Sequence, residues 1–349
     1  MNIKNQDTNY KPPLVSIITP TKNRAALLRE TILSVIAQTY ENWELLIIDD
    51  FSTDNTVEML KEFSSEKRIS HIQRKGETGG AQVCRNIGIE LAKGDYIILL
   101  DSDDLLSKTC LENRIKFITG NKELDFVAFP TIIFGWEFPD YDTYWNLLNG
   151  KDEISRFLNW DPTWGIISVI WKKESLKAIG KFDEKVLSFQ DIDIHLRALI
   201  KNLNYGYAPG EPDSFVREHD EERIGIHCAQ PKHLNSHERL LTQLYEELNK
   251  SQKLTKERMT SLAGFYFRVC NFWIQQNDLK KALKLWKHVE EMKLLTNFIY
   301  SSAIVYFHYL SINKKEVIPL FSRLRFIFYK FLPPNFFLKN NTWKKLKKV

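Results

Sequence analysis

Two hydrophobic periodicities alternate along the first hundred residues. Short β-branched runs, "LVSIIT", "WELLIID", "ISHIQR" and "DYIILLD", have the composition of strands. Between them, apolar residues recur at helical spacing in "RAALLRETILSVIAQT", "STDNTVEMLKEF" and "GGAQVCRNIGIELAKG". This alternation predicts an α/β fold with a mostly parallel, doubly wound sheet covered by helices on both faces. Ligands of such sheets bind beyond the carboxyl ends of the strands, where "TPTKNR", "DDFSTD" and "DSDD" fall.

Strand signals stop near residue 230. The segments "HERLLTQLYEELNK", "ERMTSLAGFYFRVCNFWIQQ" and "DLKKALKLWKHVEEMKLL" are amphipathic and predict a C-terminal α-helical region. The last two resemble a single tetratricopeptide hairpin, and an ordinary helical hairpin is the alternative. We therefore expect an α/β domain over 1–230, a helical domain over 231–318 and a basic-aromatic tail over 319–349.

Positive charge is concentrated at the C-terminal end. The 349-residue chain has a formal net charge of +5, but Val317 to Val349 contains eight Lys or Arg and no acid, so the rest carries about −3. We therefore expect no nucleic acid partner and a tail that meets something anionic. Four widely spaced cysteines favour a reducing compartment, and the polar N-terminus predicts no secretory signal, so we expect a cytoplasmic protein.

Two C-terminal segments raise the question of a membrane. The stretch from Leu294 to Ile312 is uncharged, but six polar residues dilute it, so a buried or interfacial helix is expected rather than a span. The tail interleaves eight aromatic residues with its eight basic ones, a composition that suits the headgroup layer of an anionic membrane. The alternative is a segment docked on the body of the protein.

Three carboxylates follow the fourth predicted strand in "LLDSDD". Side chains of an extended segment alternate with period two, so Asp101 and Asp103 are expected to converge while Ser102 points away. Carboxylate oxygens of this kind suit Mg²⁺ or Mn²⁺, with waters and a diphosphate at the remaining positions. The alternative is an aspartate-rich cap of the following helix. An NAD site is not expected, because "TPTKNR" after the first strand contains no glycine.

Six motifs follow one another along the chain: P-T-x-N, S-V-x-x-Q-T-Y, D-D-x-S-x-D-x-T, R-N-x-G, G-D-Y-I and D-x-D-D. In this order they resemble the motifs of the family 2 glycosyltransferases with the GT-A fold. The match is dense from Leu14 to Leu111 and continues more loosely through "GKFDE" and "QDIDIHLR" to Gly225. The resemblance implies an inverting transferase of the hexosyl or N-acetylhexosaminyl class that uses a nucleotide-diphosphate sugar, expected to be a UDP-sugar.

The resemblance also implies roles for individual residues. It assigns nucleotide binding to Pro20, Thr21, Asn23, Asp50, Ser52, Arg85 and Asp101. It assigns the metal to Asp103 and His219, and the catalytic base to Asp191. A structural ion pair is the alternative for Arg85, and Asp193 is the rival base. Three positions depart from the family pattern, Lys22 for tyrosine, Cys84 for alanine and Gln190 for glutamate, and the first puts base stacking in doubt.

The chemistry supports this implied activity. A divalent cation stabilises a departing diphosphate, and a carboxylate on the opposite face of the sugar removes the proton of the attacking hydroxyl, which gives inversion. The expected acceptor is a glycan or a lipid-linked sugar in bacterial surface polysaccharide synthesis, reached at the inner face of the cell membrane. The alternatives are a non-catalytic sugar-nucleotide or glycan-binding protein and a processive polysaccharide synthase.

Two further constellations have competing interpretations. Trp160 and Trp164 could stack on an acceptor sugar, or they could belong to the core. The segment "HCAQPKHLNSH" offers three histidines and a cysteine for zinc, and polar residues that lead into a helix are the alternative.

Overall fold

The computed structural model describes residues 12–76, 79–135, 141–144, 148, 150–218, 228–312, 328, 330–337 and 344–345. The chain forms two compact units that interleave in sequence. The sheet unit comprises Met1–Phe134, Ile166–Lys181 and Asn204–Arg217. The helical unit comprises Gly135–Gly165, Phe182–Leu203 and Glu218–Val349. Two segments that precede residue 230 therefore belong to the helical unit.

A mixed, mostly parallel sheet forms the centre of the sheet unit. Its strands are β1 (Val15–Thr21), β2 (Trp43–Asp49), β3 (Ile69–Gln73), β4 (Tyr96–Leu99), β6 (Phe126–Ala128), β9 (Val169–Lys172) and β10 (Tyr205–Tyr207). Among the described residues the strand order is β10-β6-β9-β4-β1-β2-β3, and β9 runs antiparallel to both of its neighbours. Three short strands, β5 (Leu105–Leu106), β7 (Thr131–Phe134) and β11 (Ser214–Arg217), pair in the order β7-β11-β5. The expected α/β class is confirmed.

Helices cover the sheet as the hydrophobic pattern predicts. They are α1 (Ala25–Ile36), α2 (Thr56–Leu60), α3 (Ala81–Leu91), α4 (Cys110–Gly120) and α6 (Lys173–Ala178). Strand β1 is buried along its whole length, because side chains on both of its faces meet other elements. The glycine of the R-N-x-G motif, Gly88, has a packing reason. A Cβ on Gly88 would collide with Ile18, so glycine lets α3 lie close against β1.

The helical unit contains the C-terminal helices. Its helices are α5 (Glu153–Leu158), α7 (Gln190–Ile200), α8 (Pro231–Lys250), α9 (Lys256–Gln275), α10 (Leu279–Glu291) and α11 (Asn297–Ile312). Its strands β8 (Tyr141–Tyr144) and β12 (Lys344–Lys345) pair antiparallel. The predicted helical region is confirmed. Asp278 caps α10 by accepting a hydrogen bond from the Lys281 amide. Within the described part of the chain, no helix combines the length and the apolar character that a membrane span requires.

Part of the predicted tail packs against α9. Leu332 and Phe336 are buried, and the Phe336 ring lies 4.8 Å from that of Phe267. The carbonyl of Asn335 accepts a hydrogen bond of 2.7 Å from Arg268. These contacts correspond to the alternative of a docked segment for residues 332–337. Most of the rest of 319–349 lies outside the described residues.

Replacing Phe336 by alanine should destabilise the helical unit by about 3 kcal/mol, because a fully packed aromatic side chain leaves a cavity. The matched control is Phe331→Ala, since Phe331 is 46% exposed and its loss should change stability by less than about 0.5 kcal/mol. Urea unfolding of both variants measures the difference. Equal midpoints would contradict the assigned packing.

Candidate active site

The predicted nucleotide residues lie at the carboxyl ends of β1, β2 and β4. Thr21 ends β1 beside Asp49, which ends β2, and the Asp50 amide donates to the Thr21 carbonyl at 2.8 Å. Asp101 lies two residues beyond the end of β4. Pro20 and Thr21 are buried, so backbone groups and not side chains would line a ligand there. The parallel register brings the three polar clusters to one edge of the sheet.

Two loops at this edge are tied together by Asn23 and Ser52. Asn23 has a φ of 52°, a left-handed conformation that asparagine tolerates better than most residues. Its amide donates to the Ser52 hydroxyl at 2.9 Å, and its side-chain oxygen accepts from the Thr53 amide at 2.7 Å. The Ser52 hydroxyl donates to Asp49 at 2.5 Å. Both residues therefore order the edge, and their expected contact with a nucleotide stays a prediction.

Asp50 is a largely buried carboxylate with a cationic partner. It forms an ion pair with Arg74, and it accepts a 3.1 Å hydrogen bond from the Gly80 amide. Gly80 has a φ of 118°, which a side chain would disfavour. Lys22, which replaces the expected tyrosine, places its ammonium 3.9 Å from the same carboxylate. A carboxylate has about four acceptor positions, so capacity remains for a ring N–H of a base.

Two arginines hold the carboxylates of the D-x-D motif. Arg85, on α3, lies 2.5 Å from Asp101, and its side chain is 4% exposed. Arg24 lies 3.0 Å from Asp103. The expected alternative for Arg85, a structural ion pair, is therefore present. The sequence does not single out Arg24, although it belongs to the cluster "TPTKNR", because the P-T-x-N motif ends at Asn23. The signal was a cation at the start of a helix that follows the first strand.

The extended geometry expected for the aspartates is wrong. Strand β4 ends at Leu99, and the Asp104 amide donates to the Asp101 carbonyl at 3.2 Å, so the four residues form a turn. Ser102 and Asp104 are buried, while Asp101 and Asp103 are partly exposed. The Asp104 carboxylate accepts from the Arg217 amide at 3.0 Å, which is a structural role. The helix-cap alternative is also wrong, since Thr109 occupies the N-cap of α4.

The donor set suits a hard divalent cation that arrives with a ligand. In the described residues no group of three or more His, Cys, Asp or Glu could hold a metal ion by itself. Mg²⁺ commonly binds through one or two carboxylates plus substrate phosphates and waters, and Asp101 and Asp103 can supply those carboxylates. His219, the other expected metal ligand, lies outside the described residues.

Burial makes Cys84, the residue found where alanine is common, an unreactive thiol. Burial first, and the nearby Asp50 carboxylate second, raise the pKa of Cys84 to about 12. The thiol therefore stays protonated at neutral pH, and a nucleophilic role is not expected.

Asp191 and its rival Asp193 have different surroundings in the helical unit. Asp191 is the second residue of α7 and is partly exposed. Asp193 is buried and accepts two hydrogen bonds from Arg197, at 3.0 and 2.6 Å. A paired, buried carboxylate is a poor candidate for a base that must reach an acceptor hydroxyl. Gln190 is buried and donates to the Leu187 carbonyl at 3.2 Å.

The two tryptophans belong to the packing of the helical unit. Trp164 is fully buried against Phe157, at 5.4 Å between ring centroids, so it has no open face for a sugar. Its expected stacking on an acceptor is corrected to a core role. Trp160 packs edge-on against Phe265 at 5.3 Å, and the Arg268 guanidinium lies 4.6 Å from its centroid. These contacts favour the core alternative for Trp160 as well.

Part of the chain matches the model of a known protein family. Residues 16–172 match the model "Glycosyl transferase family 2". We call residues 16–172 the family 2 region. The family 2 region contains seven of the expected nucleotide residues and Asp103, and Asp191 lies beyond it.

Two curated relatives each match about a third of the chain. The chain is 40% identical over 111 residues, 32% of its length, to the putative teichuronic acid biosynthesis glycosyltransferase TuaG of Bacillus subtilis, of which 44% is covered. It is 40% identical over 121 residues, 32% of its length, to the Escherichia coli β-1,3-glucosyltransferase WfgD, of which 46% is covered. The chain thus spans less than half the length of these relatives.

Solved structures extend the likeness of fold beyond the family 2 region. Staphylococcus aureus TarS 1–349, crystallised with UDP-GlcNAc, matches with a TM-score of 0.65 and 17% identity. The match covers 86% of this chain and 91% of that one. It establishes a GT-A type fold followed by a helical region.

Proposed function

We propose that the chain is an inverting glycosyltransferase that moves a sugar from a UDP-sugar to a hydroxyl of a glycan or lipid-linked acceptor. The proposal rests on one observation: at the carboxyl ends of β2 and β4, the carboxylates of Asp50, Asp101 and Asp103 each pair with an arginine. Similarity to relatives named for teichuronic acid and undecaprenol-linked sugar synthesis supports a bacterial surface polysaccharide as the product. The crystallised complexes of TarS with UDP-GlcNAc and UDP support uridine in the donor.

The chain's own residues supply charge of both signs. Arg24 and Arg85 place positive charge where a diphosphate would approach, and Asp101 and Asp103 would hold Mn²⁺ or Mg²⁺. Bound there, the cation would neutralise charge on the leaving diphosphate as a Lewis acid. Asp191 would accept the proton of the acceptor hydroxyl, and a single attack from the opposite face inverts the anomeric carbon.

Asp103→Asn should abolish the gain in UDP affinity that Mn²⁺ gives, because the neutral amide lacks the negative charge of the metal-binding carboxylate. Even outer partners of metal ligands are worth about tenfold in metal affinity, so a loss of about tenfold or more is expected. Glu90→Gln is the control, because Glu90 is an exposed carboxylate on α3 that pairs with Lys177 and Lys181. Isothermal titration with and without EDTA measures the effect. Equal Mn²⁺-dependent affinity in the wild type and Asp103→Asn would remove the metal assignment.

Asp191→Asn keeps the shape of the base and removes its basicity, so turnover should fall by about 10² or more while UDP affinity stays near wild type. Asp193→Asn breaks a buried ion pair and should lower the melting temperature more than the turnover. Donor hydrolysis and transfer assays on both variants separate the two carboxylates. An active Asp191→Asn would disprove the base, and wild-type protein that binds UDP-sugars without hydrolysing them would favour a non-catalytic binding protein.

We further propose that the protein works at an anionic membrane surface from the cytoplasmic side. One face of α11 supports this: Phe298, Val305 and Ile312 are spaced by seven residues and are 62%, 58% and 76% exposed. No charged residue lies between Leu294 and Ile312, and the basic stretch begins soon after. Apolar side chains on an uncharged helix, flanked by lysine and arginine, suit the headgroup layer of anionic lipids.

Serine at Phe298, Val305 and Ile312 together should weaken binding to phosphatidylglycerol vesicles by about tenfold or more, because three apolar side chains lose their burial in lipid. The control carries serine at Leu33 and Leu91, exposed leucines of the sheet unit. Sedimentation at low and high salt measures binding. Each basic residue near the anionic surface should contribute about 1 kcal/mol to the binding free energy, and salt should screen this contribution, so binding should weaken as salt rises. A wild-type protein that ignores anionic vesicles at low salt would refute the membrane proposal.

A further inference from the structure

The loop that leads to Asp191 is bound by helix α8. The Ser236 hydroxyl accepts a 3.0 Å hydrogen bond from the Leu187 amide and donates a 2.8 Å hydrogen bond to the Lys185 carbonyl. Ser236 is largely buried, so water competes little for these bonds. One side chain of α8 thus fixes two backbone groups of the loop.

The next residue of the loop, Ser188, is buried between two histidines of α8. The Ser188 hydroxyl is 2.6 Å from Nε2 of His237 and 3.0 Å from Nδ1 of His233. The histidines are four residues apart on α8, so they present one face, and all three side chains are buried. Burial, and His233 beside it, lower the pKa of His237 to about 3, so this imidazole is neutral at neutral pH. A hydroxyl has one proton and two acceptor positions, so it can bond to both imidazoles at once.

This arrangement replaces the zinc site that the histidine spacing had suggested. Nε2 of His237 and Nδ1 of His233 are both directed at the Ser188 hydroxyl, and a serine hydroxyl is not a usual zinc ligand. His227 lies outside the described residues.

Phe189 joins this loop to α7 in a left-handed conformation. Its φ is 62°, which is unfavourable for a residue with a bulky side chain and persists only where surrounding contacts impose it. Its ring supplies those contacts, at 4.6 Å from His237, 4.8 Å from Trp160 and 5.3 Å from Phe265. Phe189 is the N-cap of α7, and Asp191 follows two residues later.

We infer that Ser188, Phe189 and the histidine pair of α8 are positioning residues for Asp191. They fix the direction in which the chain enters α7, and therefore where the Asp191 carboxylate points, without touching substrate themselves. The inference rests on the proposed role of Asp191 as the base. A base must lie within hydrogen-bond reach of the proton it removes, and a displacement of about 1 Å can cost 10²-fold in rate.

Ser188→Ala tests the inference against a matched buried serine. Ser261→Ala is the control, because the Ser261 hydroxyl is also buried and accepts a 3.0 Å bond from Asn159, in the same unit but at another place. Ser188→Ala should lower the kcat of transfer by about tenfold with donor KM within twofold, and it should speed amide exchange in 185–191. Ser261→Ala should leave the kcat and that exchange unchanged.

Two variants at His237 provide a second readout that does not depend on serine. His237→Gln keeps a hydrogen-bonding nitrogen near the Nε2 position and should retain most of the kcat, whereas His237→Leu should lower the kcat about tenfold, as Ser188→Ala does. If Ser188→Ala and His237→Leu both keep the wild-type kcat and exchange rates, the inference is overturned.

Asp191→Asn, assayed in parallel, distinguishes this failure from failure of the proposed function. An inactive Asp191→Asn beside a fully active Ser188→Ala overturns only the positioning role. An active Asp191→Asn overturns the base, and the positioning role with it.

Discussion

Repulsion among carboxylates has to be balanced before the ends of the central strands can lie side by side. Asp49 ends β2, Asp50 follows it, and Asp101 and Asp103 follow β4, so all four lie at one edge of the sheet. Asp50 and Arg74 are both largely buried, and an unpaired charge there would cost several kcal/mol. The arginines are therefore part of the fold as well as of the proposed site, because they balance the negative charge at this edge of the sheet.

The same constraint prepares the edge for an anionic ligand. Arg24 is the N-cap of α1, which follows β1, and Arg85 lies on α3, which follows β3; each is already oriented by a carboxylate partner. A guanidinium held in place loses less conformational freedom when a phosphate oxygen approaches. The proposed site thus combines opposite charges within reach of one another, as a diphosphate and its cation would require.

Local patterns in the sequence determine how much could be predicted. Strands β1, β2 and β4 follow from their apolar runs, because each is buried along nearly its whole length, whereas β3 has a weaker signal and no fully buried residue. The turn at Asp101–Asp104 did not follow, because Asp104 is held by Arg217, 113 residues away in sequence. The contact between Ser188 and His237 joins residues 49 positions apart and did not follow either. The four-residue spacing of His233 and His237 is typical of zinc ligands and indicated a metal site instead. Burial of Phe336 in the helical unit depends on contacts with α9 that the basic-aromatic composition of the tail does not indicate.

The docking of residues 332–337 on α9 has a consequence for the order in which the protein is made. Every segment of the sheet unit has been synthesised once translation passes Arg217, so that unit can fold while the ribosome is still extending the chain. The core around Phe267 is different, because it stays open until Phe336 has left the ribosome. Nascent chains that stall between these two points would carry a finished sheet and an exposed aromatic cluster, which is the kind of surface that chaperones bind.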